Sequence, residues 1–258
     1  MKIVVLVKEV PDTYGERVLN SETGLADRGA SETVIDEIGE RAMEVALAHK
    51  DAHPDTELTV LTMGPESVSG SIRKTLALGA DSAIHVADND LIGADLGLTA
   101  EVLAAAAKRN GFDLIIGGNL STDGSGGMIP AMVAEILDIP SALNLNSVTI
   151  TADAISGEQT VDAGTAEVTA ALPAIVSITE RLPDVRLANF KGIMAAKKKP
   201  YETVTLADLG IDAHSIEASR SIMLSVAKKP AREAGTTITD EGDAGDKLAD
   251  FLIENRLV

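Results

Sequence analysis

The stretch IVVLV at residues 3–7 decides the fold class of this chain of 258 residues. Three similar runs follow it: LTVLTM at 58–63, AIHVA at 83–87 and DLIIGG at 113–118. Continuous Val, Ile and Leu character without polar alternation is typical of strands that are covered on both faces, as parallel strands are. The four runs therefore predict one buried parallel sheet.

The segments between these runs predict the covering helices. Asp36 is suited to cap the first helix, because its short side chain can accept a backbone N–H. Pro65 opens the second, where a missing N–H costs nothing, and Gly79 ends it. Residues 95–110 form the third. This alternation predicts an α/β fold, a three-layer αβα domain with a mostly parallel, Rossmann-like sheet and right-handed crossovers.

The second half of the chain has a different pattern. From about residue 141, short alternating runs and a turn at Ser156-Gly157 predict an antiparallel meander. The run PAIVSIT at 173–179 then returns to the buried sheet. These features add a meander to the parallel sheet.

The last part of the chain is predicted to be largely irregular. Residues 180–235 show no sustained period and are too long for an ordinary connection, so they are a functional segment or an arm. We expect a domain at residues 1–210 and an extended C-terminal arm at 211–258. The arm ends in a short amphipathic helix whose apolar residues are Leu248, Phe251 and Leu252.

The composition excludes several classes of function. The formal charge is −18, from 22 basic and 40 acidic residues. Affinity for nucleic acids comes from Lys and Arg that neutralise phosphates, so nucleic acid is not expected as a partner. The apolar run at the N-terminus is far too short to span a bilayer, and we expect no membrane insertion. The chain has no cysteine, which fits a reducing compartment, and we expect a cytoplasmic protein.

The loop GGNLSTDGSGGM at 117–128 is the richest candidate for a ligand site. It contains five glycines, follows a predicted strand and leads into a helix that begins near Ile129-Pro130. Ligands of open parallel sheets gather at the carboxyl ends of the strands. Small residues let backbone N–H groups approach an anion, and the start of a helix adds its positive dipole end. The loop is either a phosphate cradle or a flexible connection, because it has neither G-x-G-x-x-G spacing nor a P-loop Gly-Lys-Ser.

Catalytic constellations are weak. The four histidines, His49, His53, His85 and His214, show no metal-ligand spacing. There is no G-x-S-x-G motif, and the acidic residues are typical of solvated helical faces and a polar tail. We therefore expect no catalytic residues and no metal site in this chain, which is not an enzyme by itself.

The segment FKGIMAAKKK at 190–199 combines an aromatic residue with apolar and basic ones. Aromatic residues make up only 2% of the chain, so Phe190 in this position needs a reason. Together with Ile193 and Met194 it has the composition of a protein-binding hot spot. The three lysines at 197–199 indicate a patch that meets an acidic surface rather than nucleic acid. The alternative is a loop that folds back and buries Phe190.

Several segments also follow one another in the order and spacing of a known family. They are VLVKEVPDT, VIDEIGERAMEVAL, MGPES followed by SIRKTLALGAD, STDGSGGM, and LPAIVSIT with FKGIMAAKKKP. On these segments the chain resembles the beta subunits of electron transfer flavoproteins over about residues 1–210. The most specific part is LPA with the IMAAKKK tail.

The resemblance implies a domain that binds a structural AMP and pairs with an alpha subunit that carries the redox-active FAD. By position in the family's motifs, Leu6 would lie against the adenine, Asp36 would face the nucleotide, and Met63 would contribute backbone contacts. The phosphate-binding segment would begin with Asp123, Gly124, Ser125, Gly126, Gly127, Met128, Ile129 and Pro130.

The chain departs from the family at three places. Asp36-Glu37-Ile38 stands where many relatives have Asn-Pro-Phe, so an aromatic neighbour of the flavin is missing. In the first strand-to-helix loop, either Thr13 or Tyr14 would approach the flavin. The segment at 126–128 lacks the larger polar residues of some relatives, which shifts the expected phosphate contacts to backbone N–H groups.

The resemblance also implies a docking surface. The loop from Ile178 to Pro200 corresponds to the family's recognition loop. This loop docks acyl-CoA dehydrogenases and other flavin dehydrogenases of fatty acid oxidation. Phe190 would be its apolar anchor, with Ile193, Met194 and Lys197 beside it. Electrons would pass on through a quinone oxidoreductase to the respiratory chain, and the C-terminal arm would wrap the alpha subunit.

Two other functions stay open on the sequence. One is a bifurcating-type electron transfer flavoprotein, in which this chain binds a second FAD where AMP would lie. The other is a stand-alone nucleotide-binding stress or signalling protein with the same sheet topology, although it leaves the Phe190 segment unexplained.

Overall fold

A computed structural model describes residues 1–216, 218–232 and 234–258. It divides into two compact units, Met1–Leu224 and Ser225–Val258. The assignment of separate roles to residues 1–210 and 211–258 stays a prediction.

The first unit is built on one large sheet. The strands, in chain order, are β1 (Lys2–Leu6), β2 (Glu9–Pro11), β3 (Thr33–Ile35), β4 (Glu57–Met63), β5 (Ser82–Val86), β6 (Leu114–Gly118), β7 (Ser141–Leu145), β8 (Thr149–Ile150), β9 (Ala154–Val161), β10 (Gly164–Ala171), β11 (Ala174–Ile178) and β12 (Tyr201–Val204). The sheet order is β10-β9-β7-β11-β6-β1-β4-β5-β12, with β8 beside β9 and with β2 and β3 in a small sheet of their own. The pairs from β7–β11 to β5–β12 are parallel, and β9 is antiparallel to its neighbours.

Helices cover both faces of this sheet. They are α1 (Glu37–Ala52), α2 (Ser69–Leu78), α3 (Leu96–Asn110), α4 (Ile129–Leu137), α5 (Phe190–Ala196) and α6 (Leu206–Leu209). The second unit contains a helix of its own, α7 (Ala244–Glu254). One apolar cluster joins α1, α2 and α5 to the sheet, and a second joins α3, α4 and α6 to its other face. The predicted three-layer α/β fold is confirmed. Runs such as IVVLV are apolar without interruption because both faces of each strand are buried.

The predicted helix boundaries hold with one difference. Asp36 caps α1 by accepting the N–H of Ile38 at 3.1 Å, and α3 begins after Asp95. Pro65 opens a 3-10 turn at Glu66–Val68, after which α2 begins at Ser69. Gly79 ends α2 with φ of 143°, which favours glycine.

The predicted turn at Ser156-Gly157 is wrong. Both residues lie inside β9, and the hairpin between β9 and β10 turns at residues 162–163 instead. Gly157 serves a different purpose, because a Cβ there would lie 1.9 Å from the carbonyl oxygen of Ser147. A glycine inside a strand often marks such a close backbone approach rather than a turn.

The segment after residue 180 is more regular than predicted. It contains α5, β12 and α6, which are too short to produce a sustained period in the sequence. Asn189 caps α5 by accepting the N–H of Gly192 at 2.8 Å. Lys199 Nζ donates to the carbonyls of Leu76 and Ala80 at 2.9 and 2.5 Å, so this lysine is engaged at the C-terminal end of α2 and is not part of an exposed basic patch.

The second unit contains the predicted amphipathic helix. In α7, Leu248 and Phe251 are partly exposed, and Leu252 is half-buried. Among the helices of residues 1–216, 218–232 and 234–258, none has the length and apolar character needed to cross a membrane.

Candidate functional site

The candidate site is the crevice at the carboxyl ends of β1 and β6. The strands β4 and β5, which follow β1 in the chain, lie on one side of β1 in the sheet. After β5 the chain crosses to the other side of β1, where β6 lies. Strand order therefore reverses between β1 and β6. Ligands of open α/β sheets bind outside the carboxyl ends of the strands at such a point.

The floor of the crevice is apolar. Leu6 ends β1, and a Cβ placed on Gly117 of β6 would lie 3.6 Å from the Leu6 side chain. Leu6, Met63 and Ile129 are half-buried and pack on the same apolar cluster of the α3 and α4 layer. Partly covered apolar side chains at strand ends suit the face of a flat heterocyclic ring.

Asp36 holds one wall of the crevice in place. Its carboxylate is 3% exposed and accepts the backbone N–H and the hydroxyl of Thr122 at 2.7 and 2.9 Å, as well as the N–H of Ile38. The start of α1 is thus tied to the glycine-rich loop after β6. Because its acceptor positions are engaged in this way, Asp36 acts as a support for the loop.

Asp123 is the second carboxylate of the loop, and its side chain is only 9% exposed. It accepts from Lys8 Nζ at 2.8 Å, from Arg28 Nη2 at 3.2 Å and from the N–H of Gly124 at 2.6 Å. Burial raises the pKa of this carboxyl, but hydrogen bonds from Lys8 and Ser121 outweigh burial and hold the pKa at about 2. Asp123 is therefore charged at neutral pH.

The end of the loop presents free backbone donors. The N–H groups of Gly126, Gly127 and Met128 have no acceptor among the residues that the structure describes. Gly127 has φ of 64°, and α4 begins directly afterwards with Pro130 in its first turn. Unpaired N–H groups beside a helix start form a site for an anion.

Three cationic side chains, which the sequence analysis did not single out as site residues, contact the glycine-rich loop. Lys8 and Arg28 contact Asp123, and Nη1 of Arg17 donates to the carbonyl of Thr122. The loop is thus lined by three cationic side chains in a chain whose net charge is −18. Cationic side chains at such a loop favour an anionic ligand. The position of Lys8 immediately after the strand at 3–7 is the one signal that pointed to it.

The structure leaves the choice between Thr13 and Tyr14 open. Both are exposed, and Tyr14 is 99% exposed, with its N–H bonded to Asp12 Oδ1 at 2.9 Å. Each is therefore free to meet a group brought by another molecule.

The predicted docking residues lie on α5 and at its C-cap, in the α1 and α2 layer and not in the crevice. Phe190 is its first residue and is 79% exposed, so the alternative in which the segment buries this ring is wrong. Ile193, Met194 and Lys197 are exposed as well. Phe190, Ile193 and Met194 are brought together on one short helix, and Lys197 follows as its C-cap residue.

The histidines are scattered. His49 and His53 stack at the end of α1, His85 is buried in β5, and His214 Nε2 lies 3.7 Å from Asp90. Among the described residues, no three His, Asp or Glu side chains group so as to hold a metal ion.

Comparison with known proteins gives the family. The model of the electron transfer flavoprotein domain matches residues 23–209. The electron transfer flavoprotein subunit beta of Mycobacterium bovis is 42% identical over 263 aligned positions that cover 99% of both chains. That of Bacillus subtilis is 32% identical and covers 93% of both. The caffeyl-CoA reductase-Etf complex subunit CarD of Acetobacterium woodii is 30% identical, over 98% of this chain and 97% of its own.

These matches confirm the resemblance seen in the sequence. The family model covers the glycine-rich loop and all of α5, and the alignment with the Mycobacterium bovis protein extends the match to 99% of the chain. The chain belongs to the family of electron transfer flavoprotein beta subunits.

Proposed function

We propose that this chain holds one structural AMP in the crevice, pairs with an alpha subunit that carries FAD, and docks flavin dehydrogenases through α5. Membership of the family gives the coarser statement that the chain takes part in flavin-dependent electron transfer as one subunit of a complex. We further propose that it works in the cytoplasm and that its electrons reach a quinone oxidoreductase and the respiratory chain.

The free N–H groups at 126–128 support the assignment of AMP. They lie in the loop that Lys8, Arg17 and Arg28 contact, and this loop leads to an apolar floor at Leu6 and Met63. A ligand that fits both parts has a flat apolar ring and a phosphate, as AMP does. When bound, AMP would supply no redox chemistry, and this chain's own residues would supply its binding and orientation. Those residues are the backbone of the loop, with Lys8, Arg17 and Arg28 providing charge.

The experiment that tests this assignment is a nucleotide count. The heterodimer is purified and denatured, and the released nucleotides are identified by chromatography and absorbance. We expect one AMP and one FAD per heterodimer. The relationship to CarD, a subunit of a caffeyl-CoA reductase-Etf complex, keeps the bifurcating alternative as the competing outcome. Two FAD molecules and no AMP would overturn our proposal in favour of that alternative.

The second unit supports an interface with an alpha subunit. Leu248 and Phe251 of α7 are 50% and 38% exposed and lie three positions apart, so they share one face of the helix. This apolar face is one that a solitary helix does not cover by itself. Exposed apolar residues on a helix mark an interaction surface. The match over the full length of proteins named beta subunits also makes a stand-alone stress or signalling protein a poorer interpretation.

The position of α5 supports its role in docking. A Cβ on Gly192 would lie 2.3 Å from the carbonyl oxygen of Ala77, so α5 packs directly on the backbone of α2. Arg73 Nη1 also donates to the carbonyl of Ala196 at 2.9 Å. The exposed side chains of α5 are thus carried by a fixed helix, which reduces the entropy lost when a partner binds.

The segment before α5 is held in the same way. Arg186 contacts the Glu44 carboxylate at 2.7 Å and Asp51 at 2.7 Å, both on α1. Burial raises the pKa of Glu44, but the hydrogen bonds from Arg186 outweigh it and lower the pKa overall. A charged, two-point contact of this kind fixes the path of the chain toward α5.

Replacing the cap of α5 should weaken docking. In Asn189→Ala the N–H of Gly192 loses its acceptor, and loss of an N-cap costs about 1 kcal/mol. We expect kcat/KM for reduction of the heterodimer by its dehydrogenase to fall about fivefold, with bound AMP and FAD unchanged. Asn189→Ser is the matched control, because serine also caps helices and should restore most of the rate. Equal rates for the alanine variant and the wild type would show that the order of α5 does not matter.

A further inference from the structure

A buried histidine lies behind the crevice. His85 of β5 is 2% exposed, and its Nε2 lies 2.9 Å from the carbonyl oxygen of Gly64. Its Nδ1 lies 2.8 Å from the hydroxyl oxygen of Tyr201. A carbonyl oxygen can only accept, so Nε2 carries the hydrogen. The carbonyl thus sets the tautomer of the neutral ring, in which Nδ1 accepts the hydroxyl hydrogen of Tyr201.

Gly64 is held at both of its backbone polar groups. Its N–H donates to the carbonyl of Val86 at 3.1 Å, and its carbonyl accepts from His85. Gly64 directly follows Met63, the last residue of β4, whose side chain helps to form the floor of the crevice. The two bonds therefore set the direction in which the chain leaves β4 beside the floor.

Tyr201 is positioned for this task by the sheet and by α2. It lies on the outermost strand β12 in register with Ala83, so its ring reaches diagonally to His85, with the ring centroids 6.0 Å apart. The guanidinium carbon of Arg73 lies 4.8 Å from the centre of the Tyr201 ring. The same arginine bonds the end of α5, so the Tyr201 ring contacts a side chain that is itself held in place.

We propose that His85 and Tyr201 are positioning residues for the nucleotide site, which hold the peptide after Met63 in the geometry that receives the adenine ring. This rests on the proposed function for the role of Met63. Tyr201 acts through the orientation of the ring. Without its hydroxyl, Nδ1 loses its hydrogen-bond partner, and the imidazole is free to turn away from the carbonyl of Gly64. The bond from Nε2 would then weaken, and the turn after β4 would shift.

The test uses the heterodimer stripped of AMP, and it measures the dissociation constant for AMP by equilibrium dialysis. Tyr201→Phe keeps the ring and its contact with Arg73 and removes only the hydroxyl. We expect it to raise the dissociation constant about threefold to tenfold, which is the worth of one hydrogen bond, with FAD content unchanged. His85→Leu should raise it at least as much. His85→Gln should restore tight binding, because its amide offers both a donor and an acceptor.

A second measurement reports the tautomer directly. In the wild type, 15N NMR of labelled histidine side chains should show that His85 carries its hydrogen on Nε2. In Tyr201→Phe the hydrogen should stay on Nε2, and the Nδ1 resonance should move because that nitrogen loses its hydrogen-bond donor. A wild-type hydrogen on Nδ1 would overturn the proposal. If His85→Leu does not fold, Tyr201→Phe and this measurement decide.

Thr62→Val is the matched control for loss of a buried hydroxyl. Thr62 lies in register beside His85 and is 2% exposed, and its hydroxyl has no hydrogen-bond partner among the described residues. Its removal should leave AMP affinity unchanged. Wild-type affinity in both Tyr201→Phe and His85→Leu would overturn this inference alone. A wild-type heterodimer that binds no AMP would overturn the proposed function together with it.

Discussion

Replacing Asp36 by alanine should weaken AMP binding about a hundredfold. The carboxylate is buried and accepts hydrogen bonds from two backbone N–H groups and one hydroxyl, which join α1 to the glycine-rich loop. Hydrogen bonds to a charged group are worth about 1.5–3 kcal/mol, and a cost of about 2.8 kcal/mol corresponds to a factor of about a hundred in affinity. The loop would have to be ordered again at each binding event. Equilibrium dialysis of AMP with the stripped heterodimer measures the effect.

Two further variants separate the support of the loop from the capping of a helix. Asp36→Asn retains one acceptor oxygen, which can serve Ile38 or Thr122 but not all three donors, and should give an intermediate affinity. Asp95 caps α3, because its carboxylate accepts the N–H of Leu98 at 2.8 Å. Asp95→Ala removes this cap and should lower the free energy of unfolding with little change in AMP affinity. If Asp36→Ala binds AMP as the wild type does, the loop does not need this support and the site has been misassigned.

The central fold was predictable because its signal is local. Each of the four apolar runs is a parallel strand, since burial on both faces demands uninterrupted Val, Ile and Leu. Asp36 and Gly79 likewise mark helix ends by their own chemistry. Gly157 misled the interpretation because its role depends on Ser147, ten positions away in the sequence, and not on its immediate neighbours. The short elements α5 and β12 are stabilised by packing on α2 and β5, which leaves no period in the sequence.

The candidate site was predictable in its loop and not in its charges. The glycines at 124, 126 and 127 identify the loop from composition alone. Arg17 and Arg28 reach it from a long excursion between β2 and β3, so only the folded chain brings them to Thr122 and Asp123. The pairing of His85 with Gly64 and Tyr201 likewise depends on strands that are adjacent in the sheet but distant along the chain.

Replacing Phe190 by alanine should slow reduction by a partner dehydrogenase about thirtyfold in kcat/KM. The ring is 79% exposed in this chain, so it makes few contacts that the fold would lose. Burial of one large side chain in a partner's pocket contributes about 2 kcal/mol or more to a transient interface, which corresponds to that factor. Stopped-flow reduction of the flavin, with dehydrogenase concentration varied, gives the rate. The effect should fall on KM, because docking changes and the flavin does not.

Two matched variants show whether the effect belongs to an anchor in one place. Phe190→Leu keeps an apolar side chain and should retain much of the rate. Leu187→Ala removes an apolar residue that is 94% exposed three positions earlier, outside α5, and should leave the rate near that of the wild type. AMP and FAD content and the melting temperature should be the same in all three, because none of these side chains supports the core. If Phe190→Ala is reduced at the wild-type rate, or if Leu187→Ala is slowed as strongly, α5 is not the anchor. Docking would then depend on a broader surface in which no single side chain dominates.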